Sequence, residues 1–238
     1  MKSEHYLAGL WQETIEEDAL WRVDKLTPTC TRPNEYIGPS WSWISVSSSV
    51  KYWARHELRN SIYGEFNHLF PGRIDLGDQN SLEYECKVEQ VGRNPFGEIK
   101  SGSLLATGIV IRGTLQYTSS IKGESGQNMR YEHDPLKYEL RLCHWILGEL
   151  SFPFYADYIL SSQYNPGYVP DQESLHLLEV LANTFLVLRQ IDEINTFKRI
   201  GILKLSAAFI AEYHVRFTYE MFGVKTLELC PEMTVTII

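Results

Sequence analysis

From Leu82 the chain alternates: Leu82, Tyr84, Cys86 and Val88 are apolar, and Glu83, Glu85, Lys87 and Glu89 between them are charged. Successive side chains of a strand point to opposite faces, so this period of two predicts a strand with one dry and one wet face. Over 104–117 the odd positions Leu105, Ile109, Ile111, Leu115 and Tyr117 predict a longer strand, with Gly108 and Gly113 as places to bend. Tyr138, Leu140, Leu142, His144 and Ile146 mark another. Strands also follow at 174–181, 183–190 and 197–205, and the chain closes on a β-branched run, Thr234 to Ile238.

The rest of the chain reads differently. Leu7, Leu10 and Trp11, then Ala19, Leu20 and Trp21, form stripes that predict a helical segment over 1–25, with Glu16, Glu17 and Asp18 at a helix N-terminus. Ile210, Tyr213, His214, Phe217 and Met221 predict a helix over 207–222. Pro28, Pro33, Gly38 and Pro39 break 27–40, and Asn94-Pro95-Phe96-Gly97 is a turn. Residues 119–136 read as a polar loop, and 150–170 as a long aromatic excursion. Strands over 41–206 and 233–238 define a mainly β chain. One domain, 1–238, is expected: an antiparallel β-barrel with a few flanking helices, its last strand removing an exposed edge.

Charge narrows the partners. The net charge is -8 and no Lys/Arg cluster exists, so nucleic acid is not an expected partner. No apolar run is long enough for a membrane span, and the start lacks the apolar core of a signal peptide. Cys30, Cys86, Cys143 and Cys230 stand far apart without CxxC spacing, which fits reduced thiols and a cytoplasmic chain. The seven histidines make no HxH or HxxxH pair, and no GxSxG or GK[ST] motif occurs, so neither metal nor cofactor is expected.

The outlying feature is aromatic: 14 Tyr, 10 Phe and 6 Trp. Such rings fill a core or line a pocket for a small apolar molecule. His144, on the apolar face of its strand, is either a core histidine or a donor that polarises a carbonyl. Tyr84 and Tyr117 face inward on their strands, where they pack a core or stack on a ligand. Trp43 is a structural residue or a pocket wall, and Tyr155 and Tyr158 belong to the excursion that could cap a barrel mouth.

Several stretches together resemble the region downstream of the toxic domain in fungal heterokaryon-incompatibility (HET) proteins. They are Tyr6-Leu7-Ala8-Gly9-Leu10-Trp11 with Ala19-Leu20-Trp21-Arg22, then Arg32-Pro33 with Pro39-Ser40-Trp41-Ser42-Trp43. The Asn94-Pro95-Phe96-Gly97 turn, Arg199-Ile200-Gly201 and Thr236-Ile237-Ile238 complete the set, with Asn94 where the family usually has Asp. The resemblance implies a stand-alone form of that region, without the toxic domain. It further suggests likeness to fungal Diels–Alder cyclases of terpenoid pathways. A cycloaddition needs a shaped apolar cavity and one or two hydrogen bonds, with no nucleophile or metal. The expected function is thus a cofactor-independent cyclase of an apolar terpenoid or polyketide intermediate in secondary metabolism. His144 and Tyr84 would be its catalytic groups, and Trp43, Tyr117, Tyr155 and Tyr158 its substrate-binding ones. The alternative is a regulatory module that binds a ligand or a protein without turnover.

Overall fold

The computed structural model describes residues 6–54, 83–94, 96–118, 137–144, 148–181, 184–192, 194–205 and 232–238. At strand positions 109, 118, 137, 143, 144, 148–150 and 232 it describes the backbone alone. Short elements open the chain: β1 (Tyr6–Leu7), β2 (Leu10–Trp11), α1 (Ile15–Asp18), β3 (Arg22–Val23) and β4 (Val50–Lys51). One mixed sheet follows, of β5 (Glu83–Gln90), β6 (Ile99–Thr118), β7 (Lys137–His144), β8 (Gly148–Pro153), β9 (Tyr155–Ala156), β10 (Ser174–Leu181), β11 (Thr184–Gln190), β12 (Thr196–Lys204) and β13 (Glu232–Ile237).

The strand order is β10-β11-β12-β13-β6-β7-β8, with β5 beside β6, β9 beside β12, and a further pairing of β10 with β6. The long β6 organises the sheet. Its first part pairs with β5 and β13, and its second with β10 and β7.

Two cores lie on opposite faces. Even positions Leu104, Ala106 and Val110 of β6 join Leu178, Leu186, Leu188, Phe197, Ile202, Val235 and Ile237. Leu10, Ile15, Leu20 and Trp41 from the opening segment cover this core. On the other face Leu115 joins Leu175, Leu177, Val187, Ile200 and Leu203. Tyr138, Phe152, Phe154 and Tyr158, with Val23, Leu26 and Cys30, cover that side.

The described residues are mainly β with few helical turns, as expected, and several finer expectations differ. No closed barrel is delineated among the described residues, and the sheet is mixed, because β12 and β13 run parallel through Thr196–Thr236 and Phe197–Ile237. The segment 1–25 is not one helix. Tyr6 pairs with Trp11 and Leu7 with Leu10 around Ala8 and Gly9, whose φ values are +49° and +91°. Positive φ at both central residues is what a tight primed hairpin turn needs, and a helix excludes it. Among the described residues of this segment α-helix is one turn at Ile15–Asp18, where the acidic residues lie, after a 3-10 turn at Gln12–Thr14.

Strand does not begin at Trp41 either. Trp43–Ser45 is a 3-10 turn, because the Ser42 side chain accepts the Ile44 amide and caps it. In β6 the buried side before Gly108 is the even one, and Leu105 is exposed; the odd side becomes the packed one from Ile111 on. Both faces of this strand are covered along part of its length, so a single apolar period does not describe it. The excursion over 150–170 carries β8 and β9, and Phe152, Phe154 and Tyr158 are buried. The loop at 119–136 and the helix at 207–222 lie outside the described residues.

The alternation in β5 has the expected register, with Tyr84, Cys86 and Val88 half-buried and the charges exposed. β10, β11 and β12 fall where expected, and β13 fills the expected closing strand. Burial raises the Cys86 thiol to about 12, so it is protonated at neutral pH.

His176 gives this fold an acid sensitivity. It is buried in β10, edge-on to Phe197 at 5.0 Å, and its Nδ1 has no hydrogen-bond partner among the described residues. Burial, aided by Arg112, lowers its pKa below 6.5. The unfolded chain therefore binds the proton more readily. Stability is full above about pH 6.5 and falls as pH drops below it. Urea midpoints should fall between pH 7.5 and 5.5, and more gently in His176→Leu. Equal slopes in both proteins would reject His176 as the sensor.

Candidate functional site

The residues that carry the family resemblance bond to one another. The Ser42 hydroxyl donates to the Ala8 carbonyl, and Trp43 Nε1 donates to Gly9 O at 3.0 Å. Trp21 Nε1 donates to Trp41 O at 3.0 Å. The Ser40 hydroxyl donates to Ile238 O while accepting the Arg199 amide at 3.0 Å. At the centre, fully buried Arg199 forks onto Asp157, Nε to Oδ2 at 3.0 Å and Nη2 to Oδ1 at 3.1 Å. Its guanidinium also donates to Ala19 O and Trp21 O, and its carbon lies 3.7 Å from the Trp21 ring centroid. Burial pushes the Asp157 carboxyl up, and Arg199 opposes this. The cluster fastens the opening segment to β12, and most of its polar groups are spent on one another; the buried Trp41 Nε1 has no partner among the described residues. It is a clasp.

The five nominated residues whose side chains are described lie in separate places. Tyr84 borders the first core and its hydroxyl donates to Gln12 O at 3.0 Å. Trp43 lies over Gly9, part-exposed. Tyr117 and Tyr158 belong to the second core. The Tyr117 hydroxyl donates to Val169 O, with Leu160 O at 3.3 Å, and burial raises its pKa. Tyr158 is buried beneath Arg32, whose guanidinium carbon is 5.2 Å from the ring centroid. Tyr155 is on the outside, on β9. The His144 backbone pairs with Gly148 at the end of β7, and its side chain lies outside the described residues. An open groove of about 600 Å³ beside β5 and β6, lined by Tyr36, Lys87, Lys100 and Ser103, includes none of the six.

Of the most unusual surface the sequence nominated Tyr155 alone as a site residue. Arg22 of β3, Trp53 after β4, Tyr155 of β9 and Lys204 at the end of β12 converge. The Arg22 guanidinium carbon is 4.6 Å from the Trp53 ring centroid and 5.0 Å from that of Tyr155. Lys204 Nζ is 4.5 Å from the Trp53 centroid, and the two rings meet edge-on at 5.4 Å. Arg22 Nε and Trp53 Nε1 are buried donors without a hydrogen-bond partner among the described residues. No sequence motif links four positions so far apart.

Among the described residues no three His, Cys, Asp or Glu gather as a metal site requires, and no helix is long and apolar enough to cross a membrane. No family model matches the chain, and no curated protein and no solved structure gave a significant match.

Proposed function

We propose that the chain is a binding module, engaging a ligand or a protein without turnover. The observation that carries this reading is the separation of the nominated rings: two adjoin the opening hairpin, two fill the core on the opposite face, and one lies outside. Their hydroxyls at 84 and 117 are held by backbone carbonyls. A cavity that folds a flexible substrate needs its rings around one space. These rings instead hold segments of the chain together.

The cyclase is the rival, supported by the resemblance and the aromatic composition. An intramolecular cycloaddition leaves the molecular formula unchanged, so mass alone does not reveal it. The test is to incubate the purified chain with fungal extracts, recover any bound molecule, and compare its chromatographic retention with the untreated extract. A module returns its ligand unaltered. A bound or released isomer absent from the control, lost in Tyr84→Phe and His144→Ala, would establish the cyclase and end the module reading.

Two further expectations stand as proposals. A closed barrel is supported by β6 pairing with both β13 and β10, which connect through β11 and β12. The likeness to the HET region is supported by the mutual bonding of its motif residues around Arg199.

A further inference from the structure

We propose that Arg22, Trp53, Tyr155 and Lys204 form a binding site for a carboxylate carried on a flat apolar body. The inference rests on the binding-module reading and names its ligand class. Two cationic side chains gather on one indole in a chain whose net charge is -8. Arg22 has no carboxylate partner among the described residues, whereas its cross-strand neighbour Lys51 pairs with Asp24.

A buried donor left without an acceptor is costly, and native proteins rarely keep one without a use. Here two such donors, Arg22 Nε and Trp53 Nε1, belong to side chains in direct contact. Both are N–H groups, so the missing partner is an acceptor. A carboxylate supplies lone pairs for them and a charge opposite to that of Arg22, and its planar geometry suits a guanidinium. Tyr155, 42% exposed and beside the Trp53 ring, provides apolar surface for the rest of the ligand. The rings favour this ligand over a bare inorganic anion, which would gain nothing from them.

The test uses the full chain, 15N-labelled, and the indole N–H signal of Trp53, assigned by its loss in Trp53→Phe. Titration with 1-naphthoate should move this signal and saturate. The neutral 1-naphthamide and inorganic phosphate should bind at least about tenfold more weakly, since each lacks one of the two features. Arg22→Gln and Arg22→Lys should both weaken naphthoate about tenfold or more, the second because it keeps charge but loses the planar donors. Equal binding of the amide or of phosphate, or an unmoved signal with naphthoate, overturns the proposal, and once the signal is assigned both are read in the unmutated protein. A null result removes this site and leaves the module reading intact; that reading falls only to the isomerised product described above.

Discussion

Arg199→Met should lower the unfolding free energy by about 3–5 kcal/mol, the usual cost of breaking a buried ion pair from one side. Asp157 is buried and would lose its fork of two hydrogen bonds. The carbonyls of Ala19 and Trp21 would lose their donor, and Trp21 the cation on its face. Arg199→Met combined with Asp157→Leu should recover part of the loss, because no lone carboxylate remains to be desolvated. Urea denaturation of wild type, both single variants and the double variant gives the coupling directly. A single-variant loss below about 1 kcal/mol would mean that the pair does not hold the opening segment.

Trp41→Ala should cost a similar amount, about 3–5 kcal/mol, as large aromatic truncations in cores do. Its ring has no exposure and lies in the first core beside Leu10 and Ile15. Trp43, two residues on in the same motif, is 37% exposed. Trp43→Ala loses one hydrogen bond to Gly9 O and some contact, about 1 kcal/mol. Trp41→Phe keeps much of the apolar contact and removes an Nε1 that has no partner among the described residues. It should fall well short of the alanine loss. Thermal melts of the three proteins check the ranking, and Trp43→Ala matching Trp41→Ala would contradict it.

What could be read from the chain follows from how many faces of each element are covered. β5 was legible because one face is dry and the other carries Glu83, Glu85, Lys87 and Glu89. β10, β11 and β12 were legible as apolar runs of strand length. β6 was found but its inside was misread, since Leu104 and Leu115 face different cores. The Leu7, Leu10, Trp11 spacing fits a helix and a tight hairpin equally, and the turn at Ala8-Gly9 decided between them. The parallel pairing of β13 joins residues 40 positions apart, Thr196 and Thr236, which no local pattern records. At the site the aromatic richness was visible, but which rings meet was not. Nothing local marks Arg22 and Lys204 as partners, and their shared indole follows from strand neighbours remote in sequence.

The insertion of β13 between β6 and β12 bears on how the chain is made. A ribosome delivers β6 and β12 well before residues 232–237. Until those residues emerge, the edge of β6 at 104–109 and the edge of β12 at 196–197 lack their native neighbour. Unpaired edges invite pairing with other chains, and long-range closure is slow. Nascent chains stalled short of residue 232 should therefore aggregate or recruit chaperones, and the sheet should be completed only once residues 232–237 have emerged.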